Sequence, residues 1–202
     1  IPDALQVYRL KELKKFGYTD ISRMLRAVPG VNIYEEDGYG LRPNISLRGT
    51  KAERSERISL MEDGILAAPA PYAAPAAYYF PNVARMYAIE VLKGSSQVQY
   101  GPFTTGGAVN MVSTPIPKSF QAGLRTSYGS FGTFNTYAHL GSDHKHVGYL
   151  VEYLRYQSKG FKKDEPNERT GFYRNDVVGK LRIHSDEDAE IRQALELKLG
   201  FS

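Results

Sequence analysis

The pattern of apolar and polar positions divides the chain into two parts that meet near Pro115–Pro117. Before this point, short apolar runs are mixed with Gly- and Pro-rich segments. After it, apolar and polar residues follow one another with a period of two, which is typical of β-strands with two unlike faces. The pattern therefore predicts an α+β unit over 1–117 and a series of antiparallel strands over 118–202.

The first part has one helix with clear start and stop signals. Thr19 or Asp20 can cap it, the apolar residues at 21, 24, 25 and 28 recur at helical spacing, and Pro29-Gly30 ends it. A second, shorter helix is predicted over Leu10–Phe16. Extended runs predict strands at Ala4–Arg9, Asn44–Leu47, Arg57–Met61, Ala88–Leu92 and Ala108–Ser113.

The second part contains five alternating segments: Phe120–Tyr128, Phe134–Leu140, Val147–Tyr153, Tyr173–Ile183 and Ile191–Phe201. A tilted strand crosses a bilayer with about 9–11 residues, and most of the segments approach that length. Short turns are predicted at Ser142–His146 and Ser185–Asp188, with a longer charged loop at Lys159–Thr170. A soluble sandwich would also alternate, but this arrangement of loops favours a transmembrane barrel. Five strands cannot close a barrel, so this interpretation predicts that the chain is a fragment.

The composition excludes several kinds of chemistry. The chain has no cysteine, and therefore no disulfide, thiolate metal site or cysteine nucleophile. Its net charge of +4 comes from dispersed basic residues, without the dense basic stripe that nucleic-acid binding requires. The sequence offers no Ser/His/Asp or paired-carboxylate arrangement, so we predict no enzymatic activity and no cofactor. His139, His144 and His146 fit a solvated turn better than a metal site, and no metal is predicted.

The most specific motif is the glycine-rich run from Ile89 to Thr114, IEVLKGSSQVQYGPFTTGGAVNMVST. Gly101 and Gly106 have the spacing of a phosphate-binding loop, but Gly107 and Ala108 stand where that loop needs Lys and Ser or Thr. The run instead resembles the plug domain of TonB-dependent receptors. Three further plug motifs occur in the family's order: LRAVPGV at 25–31, SLRG at 46–49 and RISLMEDG at 57–64.

This resemblance covers about residues 1–117, and the alternating segments follow where the family's barrel begins. It implies a plug inside a barrel of about 22 strands, in contact with the lipid of the bacterial outer membrane. It also implies import of a ferric chelate by rearrangement of the plug through the TonB protein, whose binding box would precede Ile1. The alternatives are a passive porin-like channel, a receptor of the same family for a non-iron ligand, and a secreted carbohydrate-binding sandwich or glycosidase.

Within the family, the run Asp63–Pro81 is most similar to the ferric citrate receptors. The resemblance implies an outward-facing ligand loop, in which Tyr72, Tyr78 and Tyr79 offer hydroxyl groups on rigid apolar rings. Ferric citrate receptors carry glutamines in this loop, whereas this chain has alanines at 73, 74, 76 and 77. The loss of amide hydrogen bonds favours a ferric chelate in general over ferric citrate in particular.

Two further loops are candidate ligand sites. In Glu35–Pro43 the candidates are Tyr39 and Arg42. Arg42 is a candidate because a guanidinium can donate two parallel hydrogen bonds to a carboxylate of an anionic chelate. The acidic residues at 35, 36 and 37 would oppose that role or bind a cation, and a solvated charged turn is equally compatible with the pattern. The third loop offers the hydroxyl groups of Thr104 and Thr105.

Arg48 and Lys93 are predicted to hold the plug in place. The resemblance implies that basic residues at these positions pair with carboxylates of the barrel, most of which would lie beyond Ser202. Lys93 stands where arginine is more usual, and lysine forms a weaker, unforked pair.

Overall fold

The computed structural model describes residues 4–9, 20–67, 79–94, 100, 105–162, 170–186 and 188–202. The chain forms two units, 1–114 and 115–202. The first combines helix and strands and the second is an antiparallel sheet, so the predicted fold class is confirmed. Among the described residues, no helix is long and apolar enough to cross a membrane.

The described part of the first unit contains one short α-helix, whose start was predicted correctly. Asp20 caps this helix, and its carboxylate accepts a hydrogen bond from the backbone N–H of Ser22 at 2.7 Å. The predicted helix over Leu10–Phe16 lies outside the described residues. The elements are β1 (Ala4–Arg9), α1 (Ile21–Leu25), β2 (Val31–Tyr34), β3 (Asn44–Leu47), β4 (Ile58–Glu62), β5 (Ile65–Leu66), β6 (Met86–Lys93) and β7 (Gly107–Ser113).

The core of the first unit lies against a mixed sheet with the strand order β1-β6-β7-β4-β5. Strands β4 and β7 are parallel, whereas β6 is antiparallel to both β1 and β7. Leu25 from the helix, Leu60 from β4 and Val109 from β7 are all fully buried in this core. Strands β2 and β3 form a separate antiparallel pair. The sequence pattern predicted β3 but missed β2 and the two-residue strand β5.

The turn after β4 is fixed to the end of β7. The Asp63 carboxylate accepts hydrogen bonds from the backbone N–H of Ser113 at 2.8 Å and from its hydroxyl at 2.5 Å. The backbone N–H of Gly64 donates to the side-chain oxygen of Asn110 at 2.9 Å. Asp63 has a positive φ of 52°, a conformation that aspartate tolerates better than most residues. The predicted turn Glu62-Asp63-Gly64 is therefore locked to the sheet by side-chain bonds.

A buried ion pair joins the end of β4 to the segment before β6. The Arg85 guanidinium is 2% exposed and donates to both carboxylate oxygens of Glu62, at 2.6 and 2.8 Å. This two-bond geometry is the strongest form of the interaction. Sequence spacing gave no signal for it, because the partners are 23 residues apart.

The second unit is a meander of five long strands paired in sequence order. The predicted turn Ser142–His146 is wrong in extent, because Asp143 and His144 pair with Gly148 and Val147 and leave a two-residue turn. The strand predicted over Val147–Tyr153 continues to Ser158, and the last strand begins at Ala194. The strands are β8 (Gln121–Gly129), β9 (Thr133–His144), β10 (Val147–Ser158), β11 (Phe172–His184) and β12 (Ala194–Phe201).

The register of these strands sorts their side chains onto two unlike faces. One face, here called the apolar face, carries the even-numbered residues of β8 and β9 and the odd-numbered residues of β10, β11 and β12. The opposite face, here called the polar face, carries the remaining positions. On the apolar face, Leu124 is 74% exposed and Leu199 is 78% exposed. On the polar face, Glu152, Asp176 and Lys180 are buried.

We predict that Glu62→Gln destabilises the first unit by about 3–5 kcal/mol, because it leaves the charge of Arg85 buried without its carboxylate. Urea unfolding of the protein measures this change as a difference in the free energy of unfolding of the first unit.

The exposed ion pair between Lys51 and Glu53 supplies the matched control. The hydrogen bond and charge of Glu53 raise the pKa of Lys51, and Lys51 lowers the pKa of Glu53 in the same way. Solvent screens this pair, so Glu53→Gln is expected to leave the unfolding midpoint unchanged. Equal midpoints for the two variants would contradict a structural role for the buried pair.

Candidate functional site

The loop 35–43 is organised by the carboxylate of Asp37. One carboxylate oxygen accepts the backbone N–H groups of Tyr39 at 2.6 Å and Gly40 at 2.8 Å. The other oxygen accepts the backbone N–H of Arg42 at 2.9 Å. Three converging N–H donors compensate much of the charge of a carboxylate. Asp37 therefore shapes the loop from within, a role that the sequence analysis missed although an Asp-Gly pair is a typical turn signal.

The other two acidic residues of this loop also have partners within the first unit. Glu35 accepts a hydrogen bond from the guanidinium of Arg26 at 2.8 Å. Glu36 accepts one from the side-chain amide of Asn44 at 3.1 Å. The three carboxylates that could have opposed a basic ligand-binding residue are thus engaged in holding the loop.

The loop packs closely on the start of helix α1. Gly40 has a positive φ of 70°, and a Cβ at this position would overlap the carboxylate oxygen of Asp20. Only glycine meets both requirements at low cost. The helix cap and the loop are therefore packed together at one point.

Two of the predicted ligand residues lie on this loop. Arg42 is exposed, and among the described residues its guanidinium forms no ion pair or side-chain hydrogen bond. Tyr39 is half-buried three residues before it. The structure thus places an exposed guanidinium on a loop whose three carboxylates each accept hydrogen bonds from other groups of the first unit.

Tyr79 forms part of the buried ion pair. Its hydroxyl accepts a hydrogen bond from the guanidinium of Arg85 at 2.6 Å and lies 3.5 Å from the Glu62 carboxylate. At the other end of the same segment, the N–H of Ala67 donates to the carbonyl of Leu60 at 2.9 Å. One flank of the predicted ligand loop is therefore bonded to Leu60 on β4. The other flank is bonded to Glu62 on β4 and to Arg85, which pairs with Glu62. The contribution of Arg85 was missed because nothing local marks it.

The remaining predicted ligand residues are incompletely described. Tyr72, Tyr78 and Thr104 lie outside the described residues. Thr105 is exposed and immediately precedes Gly106, whose N–H donates to the carbonyl of Arg57 at 2.8 Å. The described part of the third loop is therefore attached to the segment entering β4.

The two predicted anchoring residues occupy turns of the first unit. Arg48 has a positive φ of 56°, is exposed, and donates its backbone N–H to the carbonyl of Gly30 at 3.0 Å. The ammonium group of Lys93 donates to the carbonyl of Pro29 at 2.7 Å. Both residues thus contact the turn that ends helix α1, and their pairing with barrel carboxylates stays a prediction.

The three histidines considered as metal ligands are dispersed in the second unit. His139 stacks on Tyr137 with ring centroids 5.3 Å apart, and His146 lies 3.7 Å from Asp186. His144 is the last residue of β9. Among the described residues, no group of three potential ligands is close enough to hold a metal ion.

The exposure of the two faces of the second unit is the reverse of that in a soluble protein. A soluble sandwich buries its apolar face and exposes its charged one. The outer strands β8 and β12 are exposed on both faces. On the central strands β10 and β11, Val151 is 46% and Val177 is 44% exposed, whereas Glu152 is 1% exposed and receives a hydrogen bond from Tyr137 at 2.6 Å. Asp176 is likewise buried and paired with Arg174 at 2.7 Å. This inversion, on strands of 8 to 13 residues, defines the second unit as a transmembrane sheet.

Comparison with known families agrees with this assignment. Residues 1–108 match the family model of the TonB-dependent receptor plug domain. The match covers more than half of the 202 residues, so the chain belongs to the TonB-dependent receptor plug domain family. The resemblance seen in the sequence is thereby confirmed. Receptors of this family lie in the bacterial outer membrane, and the family assignment places the protein there.

Solved receptor structures share the fold of both units. The ferric yersiniabactin uptake receptor FyuA from Yersinia pestis is 21% identical with a TM-score of 0.75, over 92% of this chain and 29% of that one. The ferric citrate transporter FecA is 23% identical with a TM-score of 0.68, over 98% and 31%. The siderophore receptor PirA from Acinetobacter baumannii is 19% identical with a TM-score of 0.71, over 97% and 31%. The chain thus spans less than a third of these receptors.

We predict that Asp37→Ala opens the loop 35–43, because three backbone N–H groups lose their shared acceptor. Hydrogen exchange of the Tyr39, Gly40 and Arg42 amides should accelerate by about tenfold or more, since a hydrogen bond to a charged group contributes about 1.5–3 kcal/mol. Glu36→Ala removes only one side-chain bond and is the control. Similar exchange rates in the two variants would mean that Asp37 does not organise the loop.

We also predict that Leu199→Lys impairs insertion of the apolar face into lipid. A lysine on the lipid side of a barrel costs about 2–4 kcal/mol at the bilayer midplane. Gln121→Lys places the same charge on the polar face and is expected to have a much smaller effect. Folding into lipid vesicles, scored by the gel mobility of unheated samples, compares the two. Equal folding yields would show that the faces are assigned incorrectly.

Proposed function

We propose that the protein is a TonB-dependent receptor that imports a ferric chelate across the bacterial outer membrane. In this proposal, residues 1–117 are the plug and 118–202 are the first five strands of the barrel. The plug family and the inverted exposure of the second unit support the proposal. The reaction is transport, and no covalent step is assigned to any residue of the chain.

The observation that carries the ligand assignment is the compensated loop 35–43. Its carboxylates are bonded to backbone N–H groups, to Arg26 and to Asn44, and none of them forms an ion pair with Arg42. The guanidinium favours an anionic partner, and a planar carboxylate or similar oxygen-rich chelate matches its donor geometry. Arg42 is the proposed electrostatic contact, and Tyr39, three residues before it, is proposed to offer an apolar surface.

The tyrosine-rich segment before Pro81 supplies the second proposed contact surface. Tyr72 and Tyr78, with Thr104 and Thr105, are proposed as ligand-facing residues. Tyr79 is proposed to contribute through its ring, because its hydroxyl is shared with Arg85 and Glu62. Alanines at 73, 74, 76 and 77 supply no amide hydrogen bonds to citrate, so the proposal is a ferric chelate, that is, a siderophore with carboxylate or related oxygens, with ferric citrate as one member of this class.

Energy coupling is proposed to occur through TonB, acting on a segment that precedes the plug. Arg48 and Lys93 are proposed to keep the resting plug in place by pairing with barrel carboxylates. A passive porin-like channel would work without TonB. A receptor of the same family for a non-iron ligand would need TonB but would not respond to iron chelates.

We predict that Arg42→Gln weakens binding of an anionic ferric chelate by about 10- to 100-fold, because a charge-assisted hydrogen bond contributes about 1.5–3 kcal/mol. Equilibrium binding of a panel of ⁵⁵Fe-labelled citrate, carboxylate and catecholate chelates to receptor-bearing outer membranes measures the change. Arg23→Gln removes an exposed arginine of helix α1 and is the matched control.

Uptake in cells with and without TonB tests the mechanism separately. The proposal requires that a bound chelate enters only when TonB is present. Uptake that persists without TonB would support the porin-like alternative. Failure of every iron chelate to bind, in a receptor that is correctly folded, would favour a non-iron ligand.

A further inference from the structure

The apolar face of the second unit carries one exception to its composition. Among the described strands, Arg155 on β10 is the only Lys, Arg, Asp or Glu on that face. It is exposed, and its cross-strand neighbours are Thr136 on β9 and Asn175 on β11. A permanently charged guanidinium on a lipid-facing surface has to be compensated by an anion or by water.

Within the described residues, the side-chain hydrogen bonds of Arg155 go to a neutral partner. The Nε and Nη2 groups of Arg155 both donate to the side-chain oxygen of Gln157, at 2.9 and 2.7 Å. Gln157 is neutral, and within the described part of the chain no carboxylate lies at ion-pair distance from Arg155. A guanidinium has five N–H donors, so Gln157 orients the group and leaves donors for a further acceptor.

The position of Arg155 on the sheet marks a boundary. Towards the turn that precedes β9, the next cross-strand row contains Tyr128, Phe134 and Tyr173. In the opposite direction the rows are apolar, beginning with Tyr153, which is paired with Val177. Aromatic residues concentrate where the hydrocarbon region of a membrane meets the headgroups. Arg155 therefore lies where the apolar band gives way to an aromatic border.

A second cation lies at the same end of the sheet. Lys159 is exposed, and its aliphatic chain lies against Gly132 in the turn between β8 and β9. Its backbone N–H donates to the carbonyl of Phe131 at 2.9 Å. Phe131 and Phe161 are exposed, with ring centroids 6.1 Å apart. The end of β10 thus combines two basic side chains with exposed aromatic rings.

We propose that Arg155, oriented by Gln157 and accompanied by Lys159, binds the phosphate headgroup of a membrane lipid on the apolar face. A phosphate offers several anionic oxygens, and a guanidinium binds such oxygens with two parallel hydrogen bonds. The acyl chains of the same lipid would cover the apolar rows around Tyr153. A headgroup satisfies both the charge and the adjoining apolar surface, whereas a soluble anion satisfies only the charge.

The test uses the intact receptor in a neutral detergent, with bound lipid counted by native mass spectrometry. Dioleoyl phosphatidic acid is the probe, dioleoylglycerol lacks the phosphate, and inorganic phosphate lacks the chains. The wild type is expected to retain phosphatidic acid but not dioleoylglycerol. Arg155→Gln should weaken retention of phosphatidic acid at least tenfold. Arg155→Lys should retain an intermediate amount of the lipid, because lysine keeps the positive charge but cannot form two parallel hydrogen bonds to a phosphate.

Arg192→Gln is the matched control, because Arg192 is an exposed arginine in the loop between β11 and β12 and lies off the apolar face. Its retention of phosphatidic acid is expected to equal that of the wild type. Unchanged retention in Arg155→Gln would overturn the proposal, as would equal retention of dioleoylglycerol. Complete displacement of the lipid by inorganic phosphate at matched concentration would also overturn it, because the site would then recognise a soluble anion.

Discussion

A sheet that exposes leucine and buries glutamate is stable only where the solvent on one side is itself apolar. This constraint governs the second unit, in which Leu124 and Leu199 are exposed while Glu152 and Asp176 are buried and bonded to protein groups. In water the same arrangement would lose the hydrophobic contribution of one face and desolvate the charges of the other. The length of the strands and the alternation of apolar and polar positions along them follow from the same requirement.

The first unit solves a different electrostatic problem. A loop rich in acidic residues carries the candidate contact for an anion, which would be repelled if those residues were free. Asp37 is surrounded by backbone donors, and Glu35 has its own basic partner in Arg26. The acidic residues therefore stabilise the shape of the loop, and none of them is paired with Arg42. In the proposed function, the structural and recognition roles fall on neighbouring residues of opposite charge.

The sequence was sufficient for the elements whose signals are local. The start of helix α1, strand β3 and the alternating strands of the second unit follow from capping chemistry and periodicity, and the structure contains them, with Asp20 as the cap out of the two candidates. Periodicity failed where polar residues continue a strand, as in the second half of β10, because backbone pairing does not require apolar side chains. The bond between Arg85 and Glu62 depends on tertiary proximity over 23 residues, which no spacing rule encodes. The three backbone hydrogen bonds to Asp37 are local, and the Asp37-Gly38 turn signal that could have indicated them was not used. The candidate contacts on the tyrosine-rich segment depended on family resemblance and remain predictions.

The attachment of that segment at both flanks has a consequence for how such a receptor can change over evolutionary time. At one flank the bond runs from the backbone of Ala67, and at the other Tyr79 is held by Arg85 and Glu62. Substitutions between these points leave both attachments intact. In a receptor that contacts its ligand through this segment, as proposed, specificity can therefore drift through mutations that are nearly neutral for folding. The alanines at 73, 74, 76 and 77 lie between the two attachments, at positions where such mutations break neither bond.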